Sequence, residues 1–144
     1  MSDFSTLQGS SVRTLAWLGD AEYERDVRLR LAKTGDWPTD VLDRLRTRFS
    51  SATFQAELLT AIETELDEAE SALARRGRNA NVRSNGRVSR DVKTYRQATA
   101  FETVVAKWLL GTLQDQARYT ALVVPYLQTA IDRAVEELRR TQKP

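Results

Sequence analysis

Two carboxylates stand in apolar surroundings, Asp20 in WLGDA and Glu102 in TAFETVV, while most of the other acids fall on faces patterned as solvated. Burying an unpaired carboxylate is costly, and Asp20 follows Gly19, a residue about 1 kcal/mol worse than alanine inside a helix. A turn, an ion pair or a metal ion would offset those costs. If the helices carrying the two acids pack together, Asp20 and Glu102 converge, with Glu24 one turn from Asp20. Paired carboxylates at low dielectric repel each other unless a cation sits between them. A divalent cation there would relieve the repulsion and could activate water for attack on phosphate. A plainer reading stands beside this one. Gly19-Asp20 could break the helix, with Asp20 capping a new one at Ala21, and Glu102 could pair with Arg96 or Lys107. Capping aspartates outnumber catalytic ones, so spacing alone does not choose.

The 144 residues include no His and no Cys. That excludes Ser-His-Asp and Cys-His centres, zinc sites with nitrogen or sulfur ligands, and a histidine general base. Metal chemistry must use oxygen ligands, which favours Mg²⁺, Mn²⁺ or Ca²⁺. Disulfides are excluded, and a reducing, cytoplasmic compartment is the simplest expectation. No apolar run approaches the ~18–20 residues of a membrane span. The opening MSDFSTLQGSS lacks the basic start and apolar stretch of a secretory signal.

The formal net charge of +2 hides a segregation. Residues 36–70 carry nine acids and three bases, whereas 71–96 carry eight bases against the single acid Asp91. Arg75, Arg76, Arg78, Arg83, Arg87, Arg90, Lys93 and Arg96 are that basic set. Arginine forks onto phosphate oxygens, so the segment reads as a grip on nucleic acid, RNA or DNA alike. The bland alternative is a solvated loop that keeps the protein soluble.

The elements that must position these groups are helical throughout. A first helix is expected from Ser10 or Ser11 to Thr34, with Gly35 as its stop, and a buried stripe of Val12, Leu15/Ala16, Gly19, Tyr23, Val27 and Leu31. DWPTDV starts a second helix with Pro38 in its first turn. SSATFQAELLTAI forms a third, capped by Ser50 or Ser51. A fourth is expected from Thr64 to Arg75-Arg76-Gly77. Residues 77–90 read as a basic loop turning at Asn85-Gly86. A long helix from Asp91 to Gly111 carries Tyr95, Ala98, Phe101, Val105, Trp108 and Leu109 on its stripe. Residues 115–140 are helical, with Pro125 either a break or the start of a final helix at Tyr126. The fold class is all-α, in one domain spanning 1–144.

LAWLGDAEYE (15–24) resembles the signature helix of the ribonuclease III catalytic domain, in which an aspartate follows a glycine after an apolar stretch. ARRGRNAN (74–81) resembles the arginine-rich loop of the Mini-III branch, whose members lack a separate double-stranded-RNA-binding domain. DVKTYRQATAFETVVAKWLLG (91–111) is similar to that branch's second catalytic helix, and SATFQAE (51–57) also fits. The resemblance implies that Asp20 and Glu102 are the catalytic, metal-binding pair. It implies Mg²⁺-dependent cleavage of double-stranded RNA, with Mn²⁺ as a substitute, leaving 5′-phosphate and 3′-hydroxyl ends. It further implies a homodimer making a staggered cut and a role in maturing precursor ribosomal RNA, commonly of the large subunit. RNA contacts are then expected from Arg75, Arg76, Arg78, Asn79, Arg83, Arg87, Arg90 and Lys93. Longer ribonuclease III proteins carry further acids where this chain has Arg13, Ala16 and Thr99, and the Mini-III branch lacks them too. Fewer ligands leave more water on the metal, which Mg²⁺ tolerates. Supporting roles are expected for Thr99, donating to a metal-bound water, and Tyr95, packing beneath the site. Glu24 could orient a water or simply pair with Arg28. The rival from another class is a non-catalytic RNA-binding or ribosome-assembly protein on the same fold.

Overall fold

The computed structural model describes residues 1–80 and 91–141. Its elements are α1 (Asp3–Thr6), α2 (Val12–Ala32), α3 (Thr39–Ser50), α4 (Ala52–Ile62), a 3₁₀ turn (Glu63–Glu65), α5 (Glu68–Arg78), α6 (Val92–Leu110), α7 (Leu113–Leu122) and α8 (Val124–Thr141). Among the described residues there is no strand, and no helix is long and apolar enough to cross a membrane.

α2 begins where the Ser11 hydroxyl accepts the Thr14 N–H, one of the orphan donors of its first turn. Leu15, Ala16, Gly19, Tyr23, Val27 and Leu31 are buried at three- and four-residue intervals, as the sequence pattern requires. The helix runs unbroken through Gly19-Asp20, so Asp20 is not an N-cap. α6 is the central rod. Ala98, Ala100, Phe101, Thr103, Val104, Val105, Ala106 and Trp108 are all buried, leaving α6 little solvent face along its C-terminal half. α2, α4 and α5 pack against it, and α2 makes the most extensive contact.

Two glycines set how close those neighbours come. A Cβ on Gly19 would sit inside the contact distance of the Glu102 carbonyl oxygen. A Cβ on Gly77 would lie 2.6 Å from Thr103 Oγ1 and 2.8 Å from Ala100 Cα. Glycine is therefore a requirement of backbone approach at both crossings, and its helix-propensity penalty is offset by packing. Tyr23, one turn beyond Gly19 on the same face, ties α2 to the core. Its ring meets Phe101 edge-on at 5.2 Å, and its hydroxyl donates to Phe49 O at 2.7 Å, pinning the α3–α4 corner.

Several expectations need correction. The fourth helix starts at Glu68 and not at Thr64, because Asp67 and Glu70 form a reciprocal capping box. Arg75, Arg76 and Arg78 belong to α5, so the segment expected as a loop from about residue 75 is helical as far as Arg78. Val124 opens α8, and Pro125 lies in its first turn, where a missing N–H costs nothing. The short α1, which inserts Phe4 beside Leu15 and Ala106, was not anticipated from the sequence pattern. Trp17 and Tyr95 are exposed at 73% and 53%, so neither belongs to the buried stripes.

Glu70 is the deepest acid of the fold, 1% exposed. Burial opposes its ionisation, but Arg118 (2.6 and 3.1 Å), Trp108 Nε1 (2.7 Å) and the Asp67 N–H (2.9 Å) outweigh that and hold its pKa below the usual range.

The α2–α6 contact makes a simple prediction. Gly19→Ala should destabilise the protein by about 3 kcal/mol, the upper part of the overpacking range, measured as a shift of the urea midpoint at constant slope. Gly9→Ala, where an added Cβ meets nothing within 4 Å, is the control and should stay within about 0.5 kcal/mol.

Candidate active site

The crossing of α2 and α6 at Gly19 brings Asp20 alongside Glu102. Asp20 is open to solvent and Glu102 is half-buried. Burial, and then the Asp20 charge, push the Glu102 pKa up to about 8. Asp20 is raised as well, first by burial and then by Glu24, against an opposing hydrogen bond from Gln55. Two like charges share one partly dry place, and no cationic side chain is paired with either among the described residues. Lys107, one alternative partner for Glu102, is committed to Asp115 at 2.6 Å.

Glu24 is drawn away from the pair. Its carboxylate accepts from Arg46 Nη1 at 2.8 Å, with Arg28 Nη2 farther off at 3.8 Å. The sequence offered Arg28 as the partner, but the nearer one is Arg46, supplied by α3. Thr99 donates its hydroxyl to Tyr95 O at 3.0 Å, leaving only a lone pair and no proton for a metal-bound water. Tyr95 is too exposed to lie beneath the site.

The basic set divides. Arg75 and Arg76 stand exposed on the last turns of α5, and Lys93 and Arg96 stand exposed on the first turns of α6. Asn79 is the C-cap of α5, its N–H bonded to Arg75 O at 3.0 Å. Arg78 is different. Its Nε donates to Gln97 Oε1 at 2.9 Å and its Nη2 binds Glu63, so it ties α5 to α6 and to the 3₁₀ turn. Its guanidinium is a brace before it is a phosphate ligand. Arg78, Asn79, Lys93 and Arg96 border a cleft of ≈ 750 Å³ between α4 and the start of α6. Arg83, Arg87 and Arg90, and the expected turn at Asn85-Gly86, lie outside the described residues.

Gln55 was not singled out from the sequence as a site residue. It is 2% exposed, its Nε2 donates to Ser50 O at 3.2 Å, and its Oε1 has no partner. The signal was present in SATFQAELL, where a carboxamide stands between Phe54 and Leu58 in an otherwise apolar helix.

Among the described residues, no three His, Cys, Asp or Glu side chains converge as they would around a metal wrapped in protein ligands. The donor set is instead two carboxylates beside an unpartnered amide oxygen. That suits a hard cation that keeps most of its waters, as Mg²⁺ does.

The Ribonuclease III domain family matches residues 13–112, a span that holds both carboxylates. The chain is 38% identical over 125 residues to Mini-ribonuclease 3 of Enterococcus faecalis, covering 85% of this chain and 90% of that one. It is 44% identical over 103 residues to Mini-ribonuclease 3 of Desulfitobacterium hafniense, covering 72% of this chain and 64% of the relative's length. A crystal structure of a Fusobacterium nucleatum protein superposes with a TM-score of 0.73 over 86% of this chain and 97% of that one, at 22% identity, which establishes the shared fold. The fold and the matched span together define a ribonuclease III domain. The chain belongs to that family and is an endoribonuclease of its type.

The raised Glu102 pKa has a stability consequence in metal-free buffer. The unfolded chain releases this proton near 4.5 and the folded one near 8, so between those values the folded state binds more protons and stability falls as pH rises. Glu102→Gln removes the effect. Above pH 8 the metal-free variant should melt higher than wild type by roughly 3–10 °C, with the gap closing towards about pH 4.5 in calorimetric scans with chelator.

Proposed function

We propose that the chain is a divalent-metal-dependent endoribonuclease that cuts double-stranded RNA as a homodimer and matures precursor ribosomal RNA. The observation that carries this reading is the convergence of Asp20 and Glu102 across the α2–α6 crossing, with no side-chain cation paired with either among the described residues. A scaffold has no reason to keep two acids in a place that raises both pKa values. Asp20 and Glu102 would hold Mg²⁺, which when bound supplies an activated water and steadies the leaving 3′ oxygen. The products are a 5′-phosphate and a 3′-hydroxyl.

The rest of the chemistry belongs to the protein. Gly19 fixes the separation of the two carboxylates by fixing that of their helices. Arg46 holds Glu24 to one side, so its charge is already spent on an ion pair. Arg75, Arg76, Lys93 and Arg96 present cations on the α5 end and the α6 start, at the two ends of the basic segment. They would grip phosphates of an A-form duplex, whose deep major groove hides its base edges from side chains. Recognition is then by shape and backbone, which suits a structured ribosomal RNA precursor, the substrate implied by the Mini-III resemblance.

The homodimer is supported by apolar surface on α2. Trp17 is 73% exposed and Ala21 follows one turn later. A shallow groove lined by Ala21, Arg25, Leu29 and Ala32 continues along the same helix. A second copy seated there would lie beside Asp20 and bring its own carboxylate pair to the opposite strand.

Two measurements check these statements. With Mg²⁺ and a labelled RNA duplex, Asp20→Asn and Glu102→Gln should each slow cutting by more than about 100-fold, beyond the range for losing an outer partner, while duplex binding persists. If wild type binds the duplex but never cuts it with Mg²⁺ or Mn²⁺, the metal-dependent reading is wrong. In sedimentation at micromolar concentration, wild type should run as a dimer and Trp17→Glu as a folded monomer. A monomeric wild type would remove the homodimer.

A further inference from the structure

Two buried side-chain polar atoms lack a partner among the described residues, Gln55 Oε1 and Ser50 Oγ, and both belong to the α3–α4 corner. Gln55 is the informative one because it borders the carboxylate pair. Its Nε2 donates to the Ser50 carbonyl at 3.2 Å, which fixes the plane and sense of the carboxamide. The corner itself is held by the Tyr23 hydroxyl on Phe49 O at 2.7 Å. The same carboxamide lies close enough to Asp20 to oppose the rise in its pKa.

A carboxamide has two N–H donors and one oxygen with two lone pairs. Here one donor is given to Ser50 O, the amide lies near Asp20, and among the described residues the oxygen receives nothing. At 2% exposure, bulk water does not satisfy it. Leucine or methionine would fill the volume without an orphaned acceptor, so packing does not explain the choice of residue. The missing group is a donor near Asp20. No lysine or arginine is paired with Asp20 among the described residues, and once a cation ionises Glu102, both it and Glu24 offer only acceptors. A water of a hydrated divalent cation is the donor whose chemistry fits. The cation would neutralise the acids, and its polarised waters donate strongly.

We infer that Gln55 is a positioning residue of the carboxylate pair, holding Asp20 through its N–H and accepting through Oε1 a hydrogen bond from the hydration shell of the cation that Asp20 and Glu102 take up. This rests on the metal dependence proposed above and adds to it a residue that is neither acidic nor a ligand. It also accounts for how so few carboxylates can suffice, since outer partners orient ligands and tune affinity.

The test uses the whole RNA-free chain and Mn²⁺ as the probe, with free Mn²⁺ followed by electron paramagnetic resonance. Wild type should bind Mn²⁺ in a way that Asp20→Asn abolishes. Gln55→Met should weaken that binding about tenfold or more while circular dichroism and the metal-free melting temperature stay close to wild type. Gln55→Leu, which likewise lacks both amide groups, should weaken binding to a similar extent. Equal Mn²⁺ affinity in Gln55→Met and wild type would overturn the role of Gln55 and leave the metal site standing. A wild type that binds no Mn²⁺ at Asp20 would overturn both. Should Gln55→Met fail to fold, Gln55→Leu decides, and affinity equal to wild type there overturns the role of Gln55.

Discussion

The structure depends on one contact, the backbone approach of α2 to α6 at Gly19 and the Glu102 carbonyl. With no Cβ between them, the two helices pack closely enough for Tyr23 to meet Phe101 edge-on and for Asp20 to lie alongside Glu102. The same absence of a side chain at Gly77 lets α5 lie on α6 at Ala100 and Thr103. α6 is thus clamped by two glycine-mediated crossings over the same stretch, 99–106. Its nearly continuous burial makes it a rigid reference for everything attached to it. The carboxylate pair and the basic residues at the end of α5 are placed by the same rod.

Two buried acids illustrate how a fold distinguishes support from chemistry. Glu70 is fully enclosed, yet Arg118, Trp108 and the Asp67 amide lower its pKa, so it stays ionised and joins α5 to α6 and α7. Glu102 is less enclosed, but its near neighbour is another carboxylate, and its pKa rises to about 8. One environment is complete and the other lacks a positive charge. That incompleteness among the described residues, together with the unpartnered Gln55 oxygen, is the physical basis of the proposed cation site.

The cations are sorted by the same logic. Arg78 is bound to Glu63 and Gln97 and Arg46 to Glu24 and Asp43, so both act within the fold. Arg75, Arg76, Lys93 and Arg96 stay exposed at the two ends of the basic segment. Among the described residues no acid is paired with them, so they are the cations the proposed RNA contact would use.

Much of this was legible in the amino-acid order. The three- and four-residue spacing of Leu15, Gly19, Tyr23, Val27 and Leu31 determined the buried face of α2, because a helix repeats every 3.6 residues whatever it packs against. Ser11 and Ser51 marked their helix starts because a hydroxyl can satisfy orphan N–H groups locally. Asp20 and Glu102 stood out because carboxylates in apolar runs need a reason. Where sequence reasoning went astray, the deciding force was not local. Thr64 was a plausible helix start until the Asp67–Glu70 box, with Glu70 locked by Arg118 from 48 residues away, gave a better one. Glu24 does face Arg28 one turn on at 3.8 Å, but α3 adds a nearer partner, Arg46 at 2.8 Å, that no local pattern names. Tyr95 falls on the expected stripe of α6 and is exposed, since periodicity says that residues share a face but not how much of it a neighbour will cover. The sequence by itself determined the helices, their buried stripes and the two acids. Only tertiary structure decided which charges meet, because ion pairs, orphaned amides and raised pKa values depend on distances between helices that no single helix contains.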